Sequence, residues 1–318
     1  MKGCSNSWKR NTSRPAGEED AMSYVASPSV RSYAAERGVD LDRLAQETGR
    51  ETLAREDVDR KADGAGSGVA PGPAPDAARY WDVDHAAFGP VTEDPLSRIA
   101  RVAADNLSAA NSLIPQVTHH DSADMRAVEA FRKGLRDEAR DRGTRLTALA
   151  FHVRVLARCL REFPRFNASL DASGETLVLK DYVHVGIAVD TPNGLMVPVI
   201  RDADRKGLWE IAAEITDLSR KAQGRKLRAE EMGGASMTIS NLGGIGGSAF
   251  TPIVNPPEVA ILGITRSQVT PVWEGEWVPV PLCPLDLSYD HRVINGADAA
   301  RFLSRYATLM ADPRRMLI

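Results

Sequence analysis

The sequence predicts a mixed α/β (α+β) fold, a mixed sheet with helices packed over it, preceded by a small two-helix unit on a tether. Three observations predict it. After residue 79, apolar residues recur at helical spacing in several stretches, the mark of helices that bury one face. Between them stand short runs that alternate with period two or are rich in β-formers, as strands require. Ahead of both, residues 61–78 read KADGAGSGVAPGPAPDAA, a composition too poor in apolar surface to order itself and kept extended by its prolines.

Composition narrows the function classes. The chain has 318 residues, 43% hydrophobic and 26% charged, enough for one large domain and something small beside it. Net charge is -3 with both signs mixed, so no basic field points to nucleic acid or a membrane surface. No apolar run approaches the ~20 residues of a membrane span. Cys4, Cys159 and Cys283 are widely spaced and form no CxxC pair, which argues against a metal site or a disulfide framework and fits a reducing cytoplasm.

Taken in order, residues 1–26 show no hydrophobic periodicity and no leader-like apolar region, and are expected to be disordered. Gly17-Glu18-Glu19 implies purine-rich codons just before Met22, so Met22 is the expected natural start. Residues 27–60 carry a helix-start signal at Ser27-Pro28-Ser29, a short helix to Arg37 stopped by Gly38, and a second helical piece from Ala54 to Arg60. The core is expected over 79–318. Helical stripes run through Leu96, Ile99, Val102, Ala103 and Leu107, then from Leu146 to Leu160, then from Leu208 to Ala222. Val183 to Val189 alternates, and Pro192-Asn193-Gly194 turns the chain into Leu195 to Ile200, a hairpin signal. Further strand-like runs are Ala235 to Ser240, Val259 to Thr265 and Trp277 to Tyr289.

The last of these runs leads into LSYDHRVINGADAARF, residues 287–302. A strand gives way there to His291, and a helix starts after Asn295-Gly296. Histidine is the side chain best suited to take a proton near neutral pH, with an ordinary pKa of about 6.5. On the residues alone, His291 is either a base or a buried histidine held by its neighbours, and Asn295 is a helix N-cap with Asp298 three residues on.

The Asp290-His291-Arg292 run with Asn295-Gly296 resembles the signature of the dihydrolipoamide acyltransferases, the cores of 2-oxo acid dehydrogenase complexes. Likeness extends over nearly all of 79–318, through Phe88-Gly89, Ile114-Pro115, Asp121, the 182–201 hairpin and Thr251-Pro252-Ile253-Val254-Asn255. It is greatest to the acetyltransferases of pyruvate dehydrogenase complexes. The resemblance implies a chloramphenicol acetyltransferase-like fold. It also implies homotrimers that often stack into larger cubic cores, with an active site in a channel between two subunits. His291 falls on the family's general base, which deprotonates the thiol of coenzyme A or dihydrolipoamide, and Asn295 on its Asp-or-Asn position. Thr238-Ile239-Ser240-Asn241-Leu242-Gly243 is similar to the family's Thr-x-Ser-x-x-Gly segment, whose serine donates to the oxyanion; read by itself, Ser240 merely ends a strand. Asp290 and Arg292 are expected to brace the loop, and His119 and His120 to lie in a loop after the first core helix with no firm role. The tail Arg314-Arg315-Met316-Leu317-Ile318 is either the family's plug between trimers or packed on its own subunit.

Residues 27–60 resemble the same family's peripheral subunit-binding domain through Pro28, Val30, Arg31, Tyr33, Gly38, Val39 and Glu56-Asp57-Val58. Arg31 matches a basic position that grips an acidic partner, dihydrolipoamide dehydrogenase or the decarboxylase. The loop at residues 46–52 departs from the pattern by two glycines and one basic residue, which restricts positive-φ conformations. Nothing before residue 27 has the strands of a lipoyl domain, so the lipoyl group is expected from another chain, with no cofactor held covalently in this one. Two other readings compete: a non-catalytic scaffold that binds partner enzymes, and a free-standing acyltransferase with a nonlipoyl acceptor. Scaffold relatives lose the histidine or the serine, and both stand here.

Overall fold

A computed structural model of the chain describes residues 25–48, 52–62, 82–192 and 194–316. The expected leader up to residue 24, nearly all of the expected linker, Cys4 and the last two residues of the tail lie outside them, while Val25 and Ala26, expected to be disordered, form a short strand. The chain separates into two compact units, Met1–Glu93 and Asp94–Ile318. Residues 82–93 are exposed and hold only a 3-10 turn at His85–Phe88.

In the first unit, the Ser27 hydroxyl caps helix α1 (Pro28–Glu36) by accepting the Val30 N–H. Gly38, at φ 65°, turns the chain out of it. The two expected helices form, but a third lies between them, α2 (Leu41–Thr48), before α3 (Arg55–Ala62). Its start signal is Asp40, whose carboxylate accepts the N–H groups of Asp42 and Arg43 at 2.9 and 3.2 Å. Leu44 and Ala45 of α2 join Val30, Ala34, Leu53 and Val58 in a miniature core. Strands β1 (Val25–Ala26) and β2 (Thr52–Leu53) pair in parallel beside it. The expected loop at residues 46–52 thus begins only after Thr48. Glu47 stands on α2 and is paired with Arg43 and with Lys61, which extends α3 past Arg60.

The second unit opens with α4 (Arg98–Leu113), capped by Ser97. The helix is where the spacing predicts it, yet its stripe is not buried by this chain: Ile99 is 46% exposed, Val102 52% and Leu107 43%. Next comes β3 (Gln116–Asp124), followed by α5 (Arg126–Gly134), α6 (Arg136–Asp141) and α7 (Ala148–Glu162). β3 corrects the expected loop at His119 and His120. All nine of its residues pair antiparallel with a long strand near the C-terminus, so tertiary pairing makes a strand of a sequence, QVTHHDSAD, with no apolar alternation of its own.

The short hairpin β4 (Ala168–Leu170) and β5 (Leu177–Leu179) precedes β6 (Val185–Ala188) and β7 (Val199–Ile200), the predicted hairpin. Then follow α8 (Leu208–Gln223), β8 (Met237–Asn241), β9 (Ala260–Ile264), β10 (Gln268–Trp273), β11 (Trp277–Asp290) and α9 (Gly296–Ala311). Among the described residues these strands form one mixed sheet of seven, ordered β10-β11-β9-β8-β6-β7, with β3 on the other edge of β11. The run β6-β8-β9 is parallel and the rest antiparallel. Helices α7, α8 and α9 cover one face. Phe151, Leu156, Leu160, Phe302 and Tyr306 pack there against Leu262, Leu285, Leu287 and Tyr289, a layered core of helices on a sheet. Met316 is buried in that same core, so the described part of the tail packs on its own subunit. Among the described residues no helix is long and apolar enough to cross a membrane.

Candidate active site

The loop after β11 is held by its main chain. The Asp290 N–H donates to Val259 O at 2.9 Å, the His291 N–H to Pro115 O at 3.1 Å, and the Val293 and Ile294 N–H groups both to Asp290 O. Arg165 adds two donors to Val293 O. The buried Asp290 carboxylate accepts from Arg292 through N–H, Nε and Nη2, at 2.7 to 3.2 Å, which is the predicted brace. Asn295 caps α9 by accepting the Asp298 N–H at 2.9 Å. His291 rides on this framework with its ring exposed, 5.8 Å from the Tyr289 ring. A buried, fully satisfied histidine is excluded. The arrangement presents an imidazole on a rigid loop, as general-base catalysis requires.

Ser240 stands one residue from the end of β8. Cross-strand partners share a sheet face, and the ladder aligns Ala188, Ser240, Gly263, Asp286 and His120 in one row. The face they share is turned away from α7, α8 and α9. It is built mostly of small and polar side chains, with Thr238, Ile261, Ser288 and Thr118 in the neighbouring row and Thr118 bonded to Ser288 at 2.7 Å. Ser240 is half-buried, and its hydroxyl has no hydrogen-bond partner among the described residues. The ladder also fixes its distance from the base. Ser240 is two strands over from Asp286, which precedes Asp290 by four residues, so the Cα atoms of Ser240 and Asp290 are about 16 Å apart. Within one chain the serine and the histidine do not meet.

Two acidic residues that the sequence did not single out lie on this face. Glu258 is buried, accepts the Thr238 hydroxyl at 2.8 Å and is pushed up to about 7, chiefly by burial. Asp286 is also buried, bonded to His120 Nδ1 at 2.6 Å. Its only sequence signal is a lone acid inside the run LCPLDLSY, residues 282–289. The cysteines are poor nucleophiles: burial raises both thiols, that of Cys283 to about 11. A separate cleft of about 850 Å3 lies between α5 and the start of α7. Arg132, Lys133, Arg136, Arg140 and Arg145 face it, against Glu129.

Residues 89–318 match the family model of the 2-oxoacid dehydrogenases acyltransferase (catalytic domain). The chain belongs to that family. It is 45% identical, over 92% of its length, to the dihydrolipoyllysine-residue acetyltransferase component of the pyruvate dehydrogenase complex of Cupriavidus necator and to that of Pseudomonas aeruginosa. It spans about half the length of those curated relatives, 55% in each case. The solved Azotobacter vinelandii dihydrolipoamide acetyltransferase is 47% identical with a TM-score of 0.73, covering 79% of this chain and all of that one. That enzyme was studied for the catalytic roles of a serine, a histidine and an asparagine. The cubic core of the pyruvate dehydrogenase multienzyme complex is 48% identical at the same TM-score, with the same coverage. Members of the family thus share this mixed sheet and its helical layer.

Proposed function

We propose that the chain is a dihydrolipoyllysine-residue acyltransferase that moves an acyl group, acetyl as in its relatives, between dihydrolipoyl and coenzyme A thiols. His291 takes the proton of the incoming thiol, whose ordinary pKa near 8.5 leaves it mostly protonated at neutral pH. The thiolate adds to the thioester carbonyl, forming the new C–S bond and a tetrahedral oxyanion, which accepts a hydrogen bond from the Ser240 hydroxyl. Collapse breaks the old C–S bond, and the departing thiolate takes its proton from His291. No acyl-enzyme forms. Asn295 fixes the loop that carries the base. Lys133, Arg136 and Arg145 in the α5–α7 cleft suit the phosphates of coenzyme A, whereas Arg132 and Arg140 are paired with carboxylates.

The observation that carries this reading is the pinned loop that exposes His291, in a chain 45% identical to such acetyltransferases. The separation of Ser240 from His291 supports a site completed by a second copy, the base coming from one subunit and the oxyanion donor from another. The uncovered stripe on α4 supports a homotrimer, and the likeness to the cubic core supports assembly beyond it. In the first unit, Arg31 stands exposed on α1 and donates to Ala26 O at 3.2 Å. That placement supports docking of dihydrolipoamide dehydrogenase or the decarboxylase, in the cytoplasm. The test is acetyl transfer by the full chain from acetyl-coenzyme A to free dihydrolipoamide or to a separate lipoyl domain. Transfer abolished in His291→Ala supports the reading. A folded wild-type oligomer that transfers nothing leaves a scaffold instead.

A further inference from the structure

The row through Ser240 ends in an ion pair that the mechanism does not use. Asp286 is 1% exposed, yet it carries a carboxylate, and its one ion-pair partner among the described residues is His120, itself half exposed. One carboxylate oxygen meets His120 Nδ1 at 2.6 Å, and the other accepts the Phe250 N–H at 3.3 Å. Phe250 closes the loop that leaves β8 just after Ser240. Its ring packs against Gly263: a Cβ placed there would stand 2.7 and 2.8 Å from two ring carbons and 3.1 Å from the Asp286 Cβ. Gly263 is the residue between Ser240 and Asp286 in the row. Asp286 therefore holds the main chain of an aromatic side chain that packs on the serine's row. A buried carboxylate left without a partner is strongly destabilising, and the His120 ring is the side chain that bonds it.

We propose that His120 and Asp286 form a positioning pair for the acyl-transfer site: Asp286 anchors Phe250 beside Ser240, and His120 holds the buried carboxylate in place through their hydrogen bond. The proposal rests on the assignment of Ser240 to the reaction, and it concerns the thiol acceptor, whose hydrocarbon part would lie against the Phe250 ring. Neither residue touches the reacting atoms.

The experiment compares the full-length wild type with His120→Ala, Asp286→Asn and the double variant. KM and kcat are measured for acetyl-coenzyme A and for dihydrolipoamide, and hydrogen exchange is followed at the Phe250 amide. His120→Ala should raise KM for dihydrolipoamide about tenfold, the scale of a lost charge-assisted contact, while KM for acetyl-coenzyme A moves less than about twofold. Phe250 exchange should accelerate in parallel. Asp286→Asn keeps an acceptor for the Phe250 N–H without burying a carboxylate, so the double variant should return to within about twofold of wild type in KM and in exchange. A purely structural histidine would give a fall in folding stability with both KM values unmoved, and that result overturns the proposal. So does a double variant as impaired as His120→Ala. A wild type that transfers nothing overturns the assigned reaction, and the exchange measurement still decides whether the pair anchors Phe250.

Discussion

Ser240 on β8 and Asp290, the last residue of β11 before His291, stand two strands apart in one chain, offset by four residues along β11. Their Cα atoms lie about 16 Å apart. The proposed sharing of each site between two copies has a measurable consequence. His291→Ala and Ser240→Ala proteins should each be nearly inactive, the serine variant by about a hundred- to a thousandfold. Dissociated and reassembled together in equal amounts, they should recover about one quarter of the wild-type sites, since each site then draws an intact histidine and an intact serine from different chains. Mixtures that stay as inactive as their parents would place both groups in one chain.

Asn295 links the stability of α9 to the loop that carries His291. Its Oδ1 caps α9, so Asn295→Ala should cost about 1 kcal/mol in a denaturant titration and lower kcat by loosening the loop at His291. Asn295→Asp keeps the cap oxygen and adds negative charge at the helix N-terminus, where it is favoured. Stability should hold or rise, and transfer should survive. If the aspartate variant melts like the alanine variant, the cap is not what Asn295 contributes.

Gly263 has room for no side chain under Phe250. Gly263→Ala should push the ring aside and lower kcat/KM for dihydrolipoamide by about tenfold, the order of an overpacked contact of 1–3 kcal/mol. Acetyl-coenzyme A should be less affected. Equal losses for both substrates would show a general distortion of the sheet.

How much of this could be read from the sequence depends on whether the signal was local. The His291 loop was legible because strand, histidine, cap and helix follow one another within sixteen residues, 287–302. The β6–β7 hairpin and helices α7 and α8 were legible through period alone. β3 was not: its residues carry no alternation, and only pairing along β11 makes it a strand. His120 looked like a loop residue for the same reason, since its partner lies 166 positions away. Helix α2 was missed because its apolar content is little more than Leu41, Leu44 and Ala45. The stripe on α4 was read correctly as a helix, but a sequence pattern cannot say which chain covers it.

Glu258 makes stability depend on pH in a direction that can be worked out. Burial raises its pKa from an ordinary 4.5 to about 7, against the opposing pull of the Thr238 hydroxyl and of Lys180. Between those values the folded chain holds a proton that the unfolded chain has released. Stability contributed by the neutral acid is therefore complete below about pH 4.5 and falls as pH rises to about 7, beyond which the ionised group carries its full penalty. At 1.36 kcal/mol per unit, the span is on the order of 3 kcal/mol. Glu258→Gln stays neutral throughout and keeps an oxygen for Thr238. It should match the wild type near pH 4.5 and exceed it near pH 8, read as a shift in urea midpoint at each pH. A constant offset between the two proteins at both pH values would mean that Glu258 is already ionised in the fold across this range, with Lys180 stabilising its charge.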